Sequence, residues 1–162
     1  MLKTVALAGL MAVVGVPELA PTAAVQPNST AQPAIACRVT QPNGNGPAHE
    51  AASPTFHGSG TLVTQLWPDG TIVFAPNGPG FVLEDGALSM KFPWWRGERG
   101  SFRIEGRRID GDAPPLRSHI PSGYGDSGFQ ATALIFPTAG CWEVTGYLGT
   151  GSLTFVTRVV KL

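Results

Sequence analysis

Two adjacent tryptophans, Trp94 and Trp95, stand beside Arg96 in the stretch K-F-P-W-W-R at positions 91–96. Arg99, Arg103, Arg107, Arg108 and Arg117 follow. Between positions 91 and 117 seven bases are set against four acids, Glu98, Glu105, Asp110 and Asp112. Successive side chains on a strand point to opposite faces, so only one of the two indoles can enter a core. The other, next to an arginine, has the chemistry to stack on a sugar face or an aromatic ligand while a guanidinium grips an anionic group. Trp94, Trp95, Arg96, Arg99 and Arg103 are therefore the candidate binding residues. The competing reading is structural: an arginine stem covers the outward indole, or the indole caps the open end of the body.

The other groups with chemical potential are weaker. The stretch G-D-S-G at 125–128 resembles the setting of the nucleophilic serine in chymotrypsin-like proteases. A serine hydroxyl needs an imidazole base within hydrogen-bond reach and an acid to orient that base. Of the three histidines, His49, His57 and His119, the first two sit in P-A-H-E and T-F-H-G, unlike the T-A-A-H-C setting of the protease base. Phe129 stands where the protease pattern has a further glycine. Ser127 with His119 is kept as a remote hydrolase reading, and ordinary turn chemistry is preferred. His49 and His57 lack any H-x-H or H-E-x-x-H spacing. A surface copper or zinc site from these two is set aside in favour of solvated loop histidines, so no metal or cofactor is expected. The carboxylates Glu84, Asp85, Glu105, Asp110 and Asp112 lie mostly in turn contexts, Asp85-Gly86 and Asp110-Gly111, and do not suggest a pair flanking a cleft.

These residues belong to a chain of 162 with 21 glycines, 15 prolines, 14% charged residues and no net charge. Zero net charge gives no general attraction to nucleic acid. The glycine and proline content disfavours helices and favours short strands joined by tight turns. Residues 1–24 have the layout of a secretory signal peptide: Lys3, an apolar run over 5–16, and small residues up to Ala24. That run is shorter than the ~20 residues a membrane-spanning helix needs, and no later segment is long and apolar enough. Residues 25–36, VQPNSTAQPAIA, read as a disordered leader; within it Asn28-Ser29-Thr30 fits a glycosylation pattern. The domain proper is 37–162. In an exported chain Cys37 and Cys141 are expected to form a disulfide, closing a loop of about 100 residues. Lipidation of Cys37, after Ala34-Ile35-Ala36, is the alternative, although about twenty residues separate it from the apolar run.

Period-two segments recur without any sustained helical period. Ten candidate strand segments run over 37–40, 60–67, 71–75, 81–83, 87–95, 101–110, 116–120, 129–136, 141–148 and 152–160, with an irregular exposed loop between 41 and 60. Pro68-Asp69-Gly70 reads as the turn of a hairpin joining 60–67 to 71–75. In the last strands, Trp142, Val144 and Leu148 share one face and Cys141, Glu143 and Tyr147 the other. Seven to nine strands spaced in this way indicate an all-β, antiparallel β-sandwich.

The C-terminal third resembles the closing strands of an immunoglobulin-like domain, in which a Gly turn precedes an inward Tyr and, two residues on, an inward Cys. Here Gly140 precedes Trp142 and Val144, which puts Cys141 on the opposite face, outside the main core. The segment 124–156, with F-P-T-A-G-C-W-E-V-T-G, is also similar to the closing part of small, uncharacterised, secreted bacterial proteins. That resemblance implies an exported bacterial β-domain and no activity. The expected function is a secreted, non-enzymatic β-sandwich with a structural or protein-contact role at the cell envelope. The alternative is a binding module for a carbohydrate or anionic polymer, with an extracellular glycan or envelope protein as partner.

Overall fold

The computed structural model describes residues 36–162, which lie in one compact unit. The expected signal segment, the leader apart from Ala36, and the glycosylation pattern fall outside the described residues. No helix among them is long and apolar enough to cross a membrane.

The chain forms ten strands: β1 (Phe56–Gly58), β2 (Leu62–Gln65), β3 (Thr71–Phe74), β4 (Phe81–Val82), β5 (Leu88–Arg96), β6 (Phe102–Arg108), β7 (Arg117–His119), β8 (Gly128–Phe136), β9 (Gly140–Leu148) and β10 (Gly151–Lys161). They build two sheets. The larger runs β1-β2-β5-β8-β7, with β4 also beside β5; the smaller runs β3-β10-β9-β6. Every pairing is antiparallel except β3 with β10. The count exceeds the expected seven to nine. One extra strand, β1, lies inside the stretch read as irregular loop.

Alternation along each strand supplies the core. Leu88, Met90, Phe92 and Trp94 of β5 face inward, and so do Leu153, Phe155, Thr157 and Val159 of β10. Aromatic pairs tie the two layers together: Phe92 stacks on Phe155 at 5.2 Å, Trp94 meets Phe102 edge-on at 5.5 Å, and Phe136 meets Trp142 at 5.6 Å. Such pairs add about 0.5–1.5 kcal/mol each beyond the area they bury. Gly146 of β9 lets the backbone close on Trp94; a Cβ there would sit 2.7 Å from the indole.

Pro68-Asp69-Gly70 is a turn, but it does not close a hairpin. Asp69 and Gly70 both take positive φ, 56° and 61°, in a short 3-10 turn, and β2 and β3 enter different sheets. Trp67, just before the turn, stacks on Phe92 at 5.4 Å. β3 then pairs with β10, where Ile72 and Phe74 join the core.

Residues 37–40 are likewise not a strand. Thr40 makes one backbone bond to Val156 (2.9 Å) and its hydroxyl accepts from the Val156 N–H (2.8 Å). Cys37 is joined to Cys141, 104 residues away, so its sulfur is not available for lipidation. Cys141 is only 1% exposed yet outside the core cluster. It lies on the outer face of β9, opposite Trp142.

Pro93 sits inside β5, where a proline needs a place for its missing N–H. The β2 ladder stops at the pair Thr64–Trp94. The Thr64 hydroxyl then donates to the Pro93 carbonyl (2.6 Å), on the side where a further ladder bond would have run.

A candidate binding groove on the outer face of the larger sheet

The five candidate residues do not form one cluster. Trp94 is fully buried among Phe92, Phe102 and Phe155, so it belongs to the core and contacts no ligand. Trp95 points the other way, onto the outer face of the larger sheet. Arg99 is exposed in the connection between the sheets. Arg103 lies on the outer face of the smaller sheet, its guanidinium 3.7 Å over the Tyr147 ring and paired with Glu105. The separation follows from β5 and β6 belonging to different sheets. Only Trp95 and Arg96 remain together.

Both line a groove of about 980 Å³ at the outer face of the larger sheet, Trp95 from its floor and Arg96, which leaves β5 on the side of Trp94, from the strand's end. Its floor is a cross-strand row. Val63 of β2 is in register with Trp95 of β5, and Trp95 with Phe129 of β8. The rings continue beyond it: Phe56 meets Trp95 edge-on at 5.4 Å, Trp95 meets Phe129 at 5.5 Å, and Phe129 meets Tyr124 at 5.7 Å. Phe129 is 46% exposed and Tyr124 38%.

Two loops wall the groove. Residues 43–50 are held against β1 by Asn43, whose side chain donates to the Gly58 carbonyl (2.8 Å) and accepts from the Gly58 N–H (3.0 Å). Gly44 donates to the Phe56 carbonyl (2.9 Å), and Gly46 packs so closely on Phe56 that a Cβ there would lie 2.6 Å from the ring. On the other side, Arg96 pins residues 124–128. Its Nη2 donates to the carbonyls of Tyr124 (3.1 Å) and Gly125 (2.9 Å). Gly123, Gly125 and Gly128 take positive φ along that loop. The G-D-S-G stretch is thus a turn held by an arginine.

Ser127 is exposed in this turn and hydrogen-bonds to no imidazole among the described residues. His119 is not placed to serve it. His119 pairs with Ala133, five residues into β8 from Gly128, or about 17 Å along the strand. His49 lines the groove while His57 lies on β1. Among the described residues no three His, Cys, Asp or Glu side chains are grouped.

The two outer faces differ in chemistry. The smaller sheet carries Arg107 paired with Glu143 (2.8 Å), Arg103 with Glu105, and hydroxyls of Thr145 and Thr154 bonded to each other (2.8 Å). The larger sheet carries Trp95, Phe129 and Ala131 toward the groove, and Ala133 and Ile135 in register with Lys91, Ser89, His119 and Arg117 toward its other end. The carboxyls with displaced pKa lie away from the groove. The Ala87 N–H, with help from Arg117, holds Asp85 below the usual aspartate range. Burial pushes Asp110 upward, but bonds from Arg108 and the Cys141 N–H outweigh it and hold Asp110 low.

Alternation could have separated Trp94 from Trp95, because Leu88, Met90 and Phe92 share the parity of Trp94. Phe129, Tyr124 and Asn43 were not singled out from sequence. No protein-family model matches this chain, and no curated protein or solved structure is significantly similar to it.

Proposed function

We propose that this chain is an exported, non-catalytic binding domain, and that its contact surface is the groove between loops 43–50 and 124–128. One observation carries the reading. The outer face of the larger sheet leaves Phe129 and Tyr124 exposed beside the half-buried Trp95, an aromatic row without counterpart on the opposite face, where arginines pair with carboxylates and hydroxyls bond each other. Exposed, rigid aromatic side chains beside polar loops are the usual makings of a recognition surface. Export is supported by the disulfide and by the signal-like segment at 1–24. The cell envelope is the expected setting.

An immunoglobulin-like architecture is part of this reading. Seven-stranded domains of that type carry one sheet ordered A-B-E-D and another ordered C-F-G. The orders β2-β5-β8-β7 and β6-β9-β10 support the same assignment, strand for strand. So does the indole N–H of Trp142, which donates to the Thr138 carbonyl (3.0 Å) at the start of β9, in the manner of a tyrosine corner.

The test is retention of the folded domain on washed bacterial envelope fragments. Phe129→Asp is expected to reduce retention by about tenfold or more, the range seen when a central contact residue is lost. Thr154→Asp, on the exposed opposite face, is expected to leave it unchanged. Equal retention of both variants and the parent would remove the groove from consideration.

A further inference from the structure

Arg96 is the one charged side chain among the buried described residues, 7% exposed. Arg103, Arg107, Arg108 and Arg117 each have a carboxylate partner, and all are more exposed. Arg96, the most buried, has none within 4.0 Å among the described residues. Two backbone carbonyls occupy its Nη2, and its Nε is buried with no acceptor. Beside it, the indole N–H of Trp95 is also buried and unpartnered.

Pinning the 124–128 turn would require only a neutral donor. A buried guanidinium carries a desolvation cost that two carbonyls offset only in part, and proteins almost never leave such a charge unpaired. A negatively charged group entering the groove would supply the missing charge. The Nη1 amino group, without an acceptor among the described residues, is the donor left for it, and a carboxylate oxygen there makes a charge-assisted bond. The rest of the groove narrows the choice. The rings of Trp95 and Phe129 can cover the face of a pyranose, and Asn45, Ser127 and the carboxylate of Glu50 line the groove as partners for its hydroxyls.

We infer that the groove binds an acidic glycan, with the carboxylate of a uronic-acid residue at Arg96 and its sugar ring against Trp95 and Phe129. This rests on the groove being the contact surface and names what it takes.

The experiment compares galacturonate oligomers with their methyl esters, which keep the ring and remove the charge. Titration calorimetry on the wild-type domain is expected to show about 10- to 100-fold tighter binding of the acid form, the range of a hydrogen bond to a charged group. Arg96→Gln should abolish that preference, and Phe129→Ala should weaken both forms. The ester comparison on the wild type needs no variant, so it stands even where Arg96→Gln fails to fold. Equal binding of acid and ester, a preference that survives Arg96→Gln, or no binding of either overturns the inference. Equally tight binding of poly-glutamate also overturns it, because the sugar ring would then be irrelevant. Equal binding of acid and ester that still depends on Phe129 would leave the groove in place as the contact surface.

Discussion

Adjacent tryptophans with opposite fates show how one residue step divides structure from recognition. Trp94 anchors the core, and truncating it to alanine should cost about 3–5 kcal/mol, as for other buried aromatics. A Trp94→Ala variant would therefore report unfolding rather than binding. Gly146 is its counterpart on β9. The backbone lies against the indole with no room for a methyl group. Gly146→Ala is expected to destabilise the domain by about 1–3 kcal/mol, as overpacked cores do. Urea denaturation followed by tryptophan fluorescence checks this, and an unchanged midpoint would contradict the packing described.

At the level of elements, Asp110 in the connector after β6 pairs with Arg108 at the end of that strand (2.7 Å) and accepts from the Cys141 N–H at the start of β9. The folded state holds the Asp110 carboxyl below its ordinary range. Its contribution is therefore complete above the unfolded pKa, near 3.9, and is lost as pH falls through the lower folded value. Asp110→Asn is expected to remove about 1 kcal/mol or less at pH 7 and to flatten the stability profile below about pH 4. Chemical denaturation between pH 2 and 7 provides the comparison. Much of this level was legible in the sequence: the inward faces of β9 and β10 and the outer position of Cys141 follow from the alternation of the strands, and the Asp85-Gly86 turn from a glycine that takes positive φ. Two kinds of feature were not. Pro68-Asp69-Gly70 announces a turn, but local turn chemistry does not say which sheet receives the next strand. That choice rests on the pairing of β3 with β10, far away in sequence. In β8 the alternation is itself ambiguous. Gln130 and Thr132 face inward, satisfied by carbonyls of Pro121, Ala131 and Phe92, while Phe129 faces out. A hydrophobic count would invert that strand, which is why the groove floor was missed.

For the whole molecule, the Cys37–Cys141 bond is the long-range constraint. A crosslink spanning 104 residues restricts the unfolded chain strongly, and its loss typically costs a small exported domain about 2–5 kcal/mol. The Cys37→Ala, Cys141→Ala pair should lower the urea midpoint accordingly while leaving the groove's ligand preference intact, because the bond lies on the opposite face. A midpoint unaffected by reduction would show that the crosslink is dispensable. The placement of that bond also sets a route for mechanical load. Tension entering through residue 37 crosses the sulfurs directly to β9 and leaves through β10. Everything between, including both groove walls and Trp95, is bypassed. A tug on the two ends would stretch the last hairpin first and leave the recognition surface unstrained.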